Sequence, residues 1–255
     1  MVKRGKQLSD LLVGRNPVME ALKSGRGIEK LLMQKGAEGS AKKIEALARE
    51  RKISIQFVDR ATLDRIAAGG SGGGNHQGVV AYVSSYRYYE VEDLLNRAAE
   101  KGEDPFLLLL DGIEDPHNLG AILRSADGAG VHGVIIPKRR AVGLTDSVAK
   151  ASAGAIEYVP VAKVSNLSQT IDLLKAKGVW VGACHMDGSL YYERDLTGPI
   201  AIVIGGEGSG VSRLVREKCD FILSIPMEGK ISSLNASNAA TILMYEINRQ
   251  RRGKL

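Results

Sequence analysis

At 255 residues, with 44% apolar and 25% charged side chains, the chain can pack one large or two smaller α/β domains and does not have the composition of a disordered segment. A net charge of +6 and a pI near 9.2 favour an anionic partner such as nucleic acid without requiring one. Two cysteines, Cys184 and Cys219, with no CxxC spacing, exclude a disulfide framework and a cysteine metal site. They read as buried thiols in a reducing compartment. The basic N-terminal stretch lacks a signal-peptide apolar run, and no later segment approaches a membrane span, so a cytoplasmic protein without membrane contact is expected.

In chain order, Asn16-Pro17 opens a helix, because proline suits the first helical position, and Val18, Ala21 and Leu22 form its apolar stripe. Residues 41–51 predict a second amphipathic helix, 53–58 a half-buried strand, 69–74 a glycine-rich loop, and 77–83 a further strand. Residues 1–85 thus form a small α/β module. The polar stretch 86–104, with a short helix ending at Gly102, reads as a linker. From Pro105 the pattern changes to short apolar runs alternating with helices. Strands are predicted at 106–110, 131–136, 179–184, 200–204 and 221–225, the signature of a mostly parallel sheet buried on both faces, within a second domain at 105–255. Basic clusters at 3–6, 138–140 and 249–252 read singly as solvated loops or termini.

Open α/β sheets bind ligands at the carboxyl ends of their strands. Three unusual segments sit there: 111–118 leading into a helix over 119–129, the glycine-rich 205–212, and 225–238. The second has Val211 where a P-loop needs lysine, and it fails the GxGxxG fingerprint, so neither phosphate-cradling motif is present and a nicotinamide oxidoreductase lacks its signature. What remains is a loop whose glycines let backbone approach a ligand, with Glu207 in its middle. In the third segment, Ser232, Ser233, Asn235, Ser237 and Asn238 exceed what one helix cap needs, and Ile225, Met227 and Leu234 add apolar surface suited to a flat ligand. In the first, Asn118 can cap the helix 119–129, and Arg124 lies further along it, near where the three segments should converge; water or Asp127 is the simpler partner for that arginine. His117 alone is weak as a general base, and neither a metal-ligating cluster nor a GxSxG turn occurs.

These segments resemble the three motifs of the SpoU or TrmH-type RNA 2′-O-ribose methyltransferases of the SPOUT superfamily. Asn118-Leu-Gly-Ala-Ile-Leu-Arg124 is similar to the first, Ile204-Gly-Gly-Glu-Gly-Ser-Gly to the second, and residues 225–237 to the third, in order and over 105–251. The resemblance implies an α/β domain with a mostly parallel sheet flanked by helices and threaded as a trefoil knot, assembled as a homodimer. It implies S-adenosylmethionine as cofactor, held by Gly205, Gly206, Ile225, Met227 and Leu234, with no metal. The N-terminal module, closed by His76-Gln-Gly-Val-Val-Ala81, is similar to the ribosomal-protein-like RNA-binding domain of the large-subunit rRNA members. That points to the RlmB-like branch, which methylates a guanosine of 23S rRNA; tRNA members more often carry helical extensions.

By the same resemblance the catalytic set is Arg124, Asn118, Glu207, Ser233 and Asn235. The family assigns Arg124 the part of base, although a guanidinium ordinarily stays protonated. Arg124 is therefore expected to engage the phosphate and the 2′-oxygen, with the other four positioning RNA and arginine. The rival expectations are a tRNA 2′-O-methyltransferase and a catalytically silent RNA-binding protein on the same scaffold.

Overall fold

The computed structural model describes residues 10–24, 26–68, 75–83, 86–230 and 232–253. The basic cluster at 3–6 and the glycine-rich loop at 69–74 lie outside them, as does Ile231 of the third motif. The first part of the chain runs β1 (Asp10–Val13), α1 (Arg15–Ser24), β2 (Ile28–Gln34), α2 (Ser40–Glu50), β3 (Ile55–Val58), α3 (Arg60–Ala68) and β4 (Val79–Val83). It continues through α4 (Val91–Glu100), β5 (Phe106–Asp111), α5 (Pro116–Ala129), β6 (Gly133–Pro137), α6 (Asp146–Ala151), β7 (Val161–Val164) and α7 (Leu167–Ala176). The last part is β8 (Trp180–Leu190), β9 (Ile200–Gly205), α8 (Arg213–Lys218), β10 (Phe221–Ser224) and α9 (Ala236–Arg252).

By packing, residues 1–87 group with 144–158 as one unit, and 88–143 with 159–255 as the other. In the first unit the strand order is β1-β4-β2-β3, with β4 antiparallel to both β1 and β2 and β3 parallel to β2. Val13, Leu32 and Val80 meet Leu63 and Ala67 of α3 on one face. Leu31, Met33, Val79 and Ala81, turned to the other face by strand alternation, are buried as well. Val18, Ala21 and Leu22 of α1 are buried as their spacing requires. The segment 144–158, expected within the second domain, belongs to this unit instead. Arg26 and Glu157 form an ion pair at 3.0 Å with both side chains less than a tenth exposed, the Arg26 guanidinium stacks 3.3 Å from the Tyr86 ring, and Tyr158 hydrogen-bonds Glu20. Burial pushes the Glu157 carboxyl above its usual range despite that pairing.

The second unit is a six-stranded sheet in the order β10-β8-β9-β5-β6-β7, every neighbouring pair parallel. Its central strands β9, β5 and β6 are near-continuous apolar runs because both faces are covered. Leu107, Leu109, Ile135, Val181 and Val203 pack with Leu167, Ile171 and Leu174 of α7 and with Val91 and Leu94 of α4. The stretch 86–104, expected as a linker, therefore supplies a core helix from Val91 onward. On the opposite face α5 and α9 pack together, and α9 also lies on β9. The expected α/β architecture with a parallel sheet flanked by helices is what the fold shows. Among the described residues no helix is long and apolar enough to cross a membrane.

Because all six strands run the same way, their carboxyl ends lie along a single edge. β8 departs from the ladder: Ala183 pairs with Ile222, but the next pair is Ser189 with Leu223. Residues 184–188 are left over and project from that edge. Gly188 permits the departure, since a Cβ there would lie 2.6 Å from the Ile222 backbone.

Candidate active site

Asp115 caps α5, its carboxylate accepting a hydrogen bond from the His117 N–H at 2.9 Å, with Pro116 at the first helical position. Asn118, expected as the cap, is instead inside the first turn, and its side chain is free to look elsewhere. It donates from Nδ2 to Glu207 Oε1 at 2.9 Å across 89 residues of sequence. Asn235 does cap its helix, α9, accepting from the Ser237 N–H at 2.9 Å. Its Nδ2 also donates to Asn118 Oδ1 at 2.9 Å and to Glu207 Oε1 at 2.5 Å. The three expected segments thus meet in one amide–carboxylate–amide cluster. Both amides use the same carboxylate oxygen, so Glu207 Oε2 has no hydrogen-bond partner among the described residues.

The loop that carries Glu207 is drawn tight by its own backbone. Gly206 N–H donates to Asp111 O at 2.8 Å, Gly210 N–H to Gly206 O at 3.0 Å, and Ser212 N–H to the Asp111 carboxylate at 2.8 Å. Gly205 is required by that closure, because a Cβ on it would lie 2.0 Å from the Gly210 carbonyl carbon.

Beside the cluster opens a cavity of about 960 Å3, lined by residues 204–210, 224–227, 229, 230, 232–236 and 239 together with Cys184, His185 and Met186. Gly205, Gly206, Glu207, Ile225, Met227, Ser233, Leu234 and Asn235 all contribute to its wall. Asn118 is buried behind Glu207. Arg124 is not in the wall: it is exposed on α5 and makes no ion pair with Asp127. Helix geometry gives the reason, because six residues at 100° each place Arg124 about 240° around α5 from Asn118. His117 is also exposed and outside the cavity wall.

Cys184, His185 and Met186 were missed from sequence. They come from the unpaired stretch of β8, and the bracketing glycines Gly182 and Gly188 were the available signal, since glycine inside a strand marks a bulge or a close approach. His185 Nε2 accepts from the Arg216 guanidinium at 2.8 Å, and its Nδ1 lies 3.2 Å from the Asp187 carboxylate. Burial pushes the Cys184 thiol up to about 11, so at neutral pH it is a protonated, polarisable wall and not a nucleophile. Cys219 is pushed up to about 12 for the same reason.

Two family models match the chain. Residues 105–245 match the SpoU rRNA Methylase family, and residues 11–89 match the RNA 2′-O ribose methyltransferase substrate-binding domain. The chain belongs to the SpoU methylase family. It is 51% identical to YacO of Bacillus subtilis, assigned by name to the TrmH family of tRNA/rRNA methyltransferases, over 96% of this chain and 97% of that one. The SpoU methyltransferase AviRb from Streptomyces viridochromogenes, solved with AdoMet, superposes with a TM-score of 0.79 at 28% identity, covering 95% of this chain and 90% of that one. An AdoMet-bound rRNA methyltransferase from Sinorhizobium meliloti superposes at 0.77 with 26% identity, covering 95% and 87%.

Membership makes the protein an S-adenosylmethionine-dependent RNA methyltransferase, and the cavity fits that cofactor on its own chemistry. Its volume is that of a small-molecule pocket. Its wall combines apolar side chains, exposed glycine backbone and a few hydroxyl, amide and carboxylate groups, the mixture that a nucleoside joined to a zwitterionic chain requires.

Proposed function

We propose that this enzyme methylates a ribose 2′-hydroxyl of structured RNA, a guanosine of 23S rRNA, working in the cytoplasm as a homodimer. The observation that carries the reading is the Asn118–Glu207–Asn235 cluster standing at the cavity, with one oxygen of its carboxylate uncommitted. Gly205, Gly206, Ile225, Met227 and Leu234 hold the cofactor, by backbone groups and apolar contact. Once bound, S-adenosylmethionine supplies a methyl activated by its sulfonium charge.

The chain's own residues then have to place the ribose and manage charge. Asn118 and Asn235 lock Glu207, whose Oε2 accepts the hydrogen bond of the 2′-hydroxyl and takes its proton as the new O–C bond forms, while the Ser233 hydroxyl adds a polar contact on the same wall. Arg124, exposed and without a carboxylate partner, engages the RNA phosphate and the 2′-oxygen. It stays a guanidinium there and stabilises the negative charge that grows on that oxygen. In the homodimer a second copy covers the exposed apolar rim, where Met227 and Leu234 are more than a third open to solvent.

The rRNA substrate is supported by the first unit, residues 1–87 with 144–158, which we assign to RNA binding together with its match to the substrate-binding model. The rRNA methyltransferase from Sinorhizobium meliloti covers 95% of this chain, whereas the tRNA-modifying TrmH/SpoU enzyme of A. aeolicus covers 64% of it, with a TM-score of 0.55. A tRNA substrate is the second reading, favoured by the tRNA/rRNA naming of the relatives. Incubating the enzyme with methyl-labelled S-adenosylmethionine and either protein-free 23S rRNA or bulk tRNA separates the two. Label on a ribose of a 23S guanosine is the expected result. Label on a base, or tight RNA binding with no transfer, overturns the proposal.

A further inference from the structure

The carboxyl edge of the six-stranded sheet carries a cationic element that the site above does not use. Directly after β6, Lys138, Arg139 and Arg140 follow one another, all exposed and none with an ion-pair partner among the described residues. Elsewhere in the same unit several exposed cations are paired, as in Lys175–Asp220 at 2.7 Å, Arg213–Glu217 at 2.7 Å and Lys218–Asp172 at 2.9 Å.

The backbone around these three residues is held firmly. Lys138 N–H donates to Val164 O at 2.8 Å, and Val142 N–H to Ile113 O at 2.9 Å. Ile113 lies in the loop that delivers Asn118, so the basic turn is bonded to the segment that leads into the Asn118–Glu207–Asn235 cluster. With β6 two strands from β9, the turn begins about 10 Å along the edge from the start of the Glu207 loop. Arg140 sits at φ 57, in the left-handed region that glycine and asparagine occupy most readily.

We propose that Lys138, Arg139 and Arg140 form a phosphate-binding rail for the RNA strand flanking the methylated nucleotide. The inference rests on the site being an RNA-methylating one and adds where the chain grips its substrate. Such contacts set position and affinity and carry no sequence information. Each phosphate they neutralise releases condensed counterions, so the rail contributes to the dependence of RNA affinity on salt.

The test uses the full chain carrying Lys138→Gln, Arg139→Gln and Arg140→Asn, the last chosen because asparagine tolerates the left-handed turn. A second variant, Lys101→Gln with Lys177→Gln, removes exposed charge from the opposite, amino edge of the sheet. Affinity for a 23S rRNA transcript is measured across salt concentrations, with cofactor affinity and KM against kcat alongside. The rail variant is expected to lose about 2 to 3 units of the log–log salt slope. Its RNA affinity and KM should weaken by about tenfold or more at low salt, with kcat at saturating RNA and cofactor affinity unchanged. An unaltered salt slope in the rail variant, or an equal loss per charge in the amino-edge variant, overturns the proposal. The slope is read without turnover, so absence of methyl transfer by the unaltered enzyme would count against the proposed reaction and not against the rail.

Discussion

At the amino edge of the six-stranded sheet Arg251 and His132 bind chain segments to one another, and at the carboxyl edge polar groups are left open. Before β5, the Arg251 guanidinium from the end of α9 donates to the carbonyls of Asp104, Pro105 and Gly198 at 2.8 to 3.0 Å and lies 5.2 Å from the Phe106 ring. Beside it, buried His132 accepts from Phe106 N–H through Nδ1 at 3.0 Å, with Nε2 at 3.0 Å from a Glu103 oxygen. At the other end of the same strands Glu207, Ser233, Asn235 and Arg140 stand exposed. One edge ties chain segments together, whereas the other holds groups in place for something that is not the protein. Stability and catalysis should therefore be separable by mutation.

The largest expected effect lies at the carboxyl edge. Arg124→Ala and Glu207→Gln should each lower turnover by about 100-fold to 1,000-fold, the usual cost of losing a group that stabilises charge in the transition state. The unfolding free energy of Arg124→Ala should stay within about 0.5 kcal/mol of the parent, as for surface positions generally, while Glu207→Gln, which keeps an acceptor oxygen for the two asparagines but loses its charge, should cost about 1 kcal/mol. For Arg124→Ala, cofactor affinity measured by calorimetry should be nearly unchanged, because the side chain is outside the cavity wall. Methylation by either variant at close to the parent rate would remove that residue from the proposed chemistry.

How much of this contrast could be read in advance depended on whether the signal was local. Phe106–Leu110 and Ile200–Ile204 declare themselves because a strand buried on both faces has no polar interruption. β7 was missed because Val-Ala-Lys-Val is four residues long, at the sheet border, and half-buried at Lys163 and Val164. β2 was lost in a charged sequence, Ile-Glu-Lys-Leu-Leu-Met-Gln, whose apolar residues do not alternate cleanly. The carboxyl-edge loops stood out as unusual, and the motif resemblance assigned their residues, but the joining of Asn118 to Glu207 and Asn235 was not legible, since no local rule relates positions 89 and 117 residues apart. Two details could have been read. The Asp115-Pro116 pair marks the true start of α5, which frees Asn118 from capping, and the six-residue spacing already turns Arg124 away from it.

The amino edge should respond in the opposite way. Arg251→Met keeps the apolar stem over Phe106 but leaves three carbonyls without their charged donor, which should cost about 2 kcal/mol in urea unfolding. For a chain of this size that corresponds to a drop of roughly 4 to 8 °C in Tm. The turnover of the folded enzyme should not change. A variant as stable as the parent but slower would mean that the clasp serves the site through α9, and the separation of the edges would fail.

The smallest effect is a pH dependence, and its sign follows from which form of His132 the fold admits. Burial is the largest influence and holds its pKa below the ordinary 6.5; the cations of Lys101 and Arg251 act in the same direction, and the Glu103 carboxylate opposes them. The folded state thus keeps a neutral imidazole where the unfolded chain takes up a proton. The stabilisation is fully present above pH 6.5 and is lost as pH falls through 6.5 towards the lowered folded value. Glu157 works the other way, since its raised pKa makes the folded state hold a proton and gain stability on acidification. The two contributions are separated by His132→Gln, whose amide can still accept from Phe106 N–H and donate to Glu103 but does not titrate. Between pH 7.5 and pH 5.5 the parent should lose more stability in urea than this variant does. Equal losses would place the neutral imidazole outside the forces that hold the amino edge together.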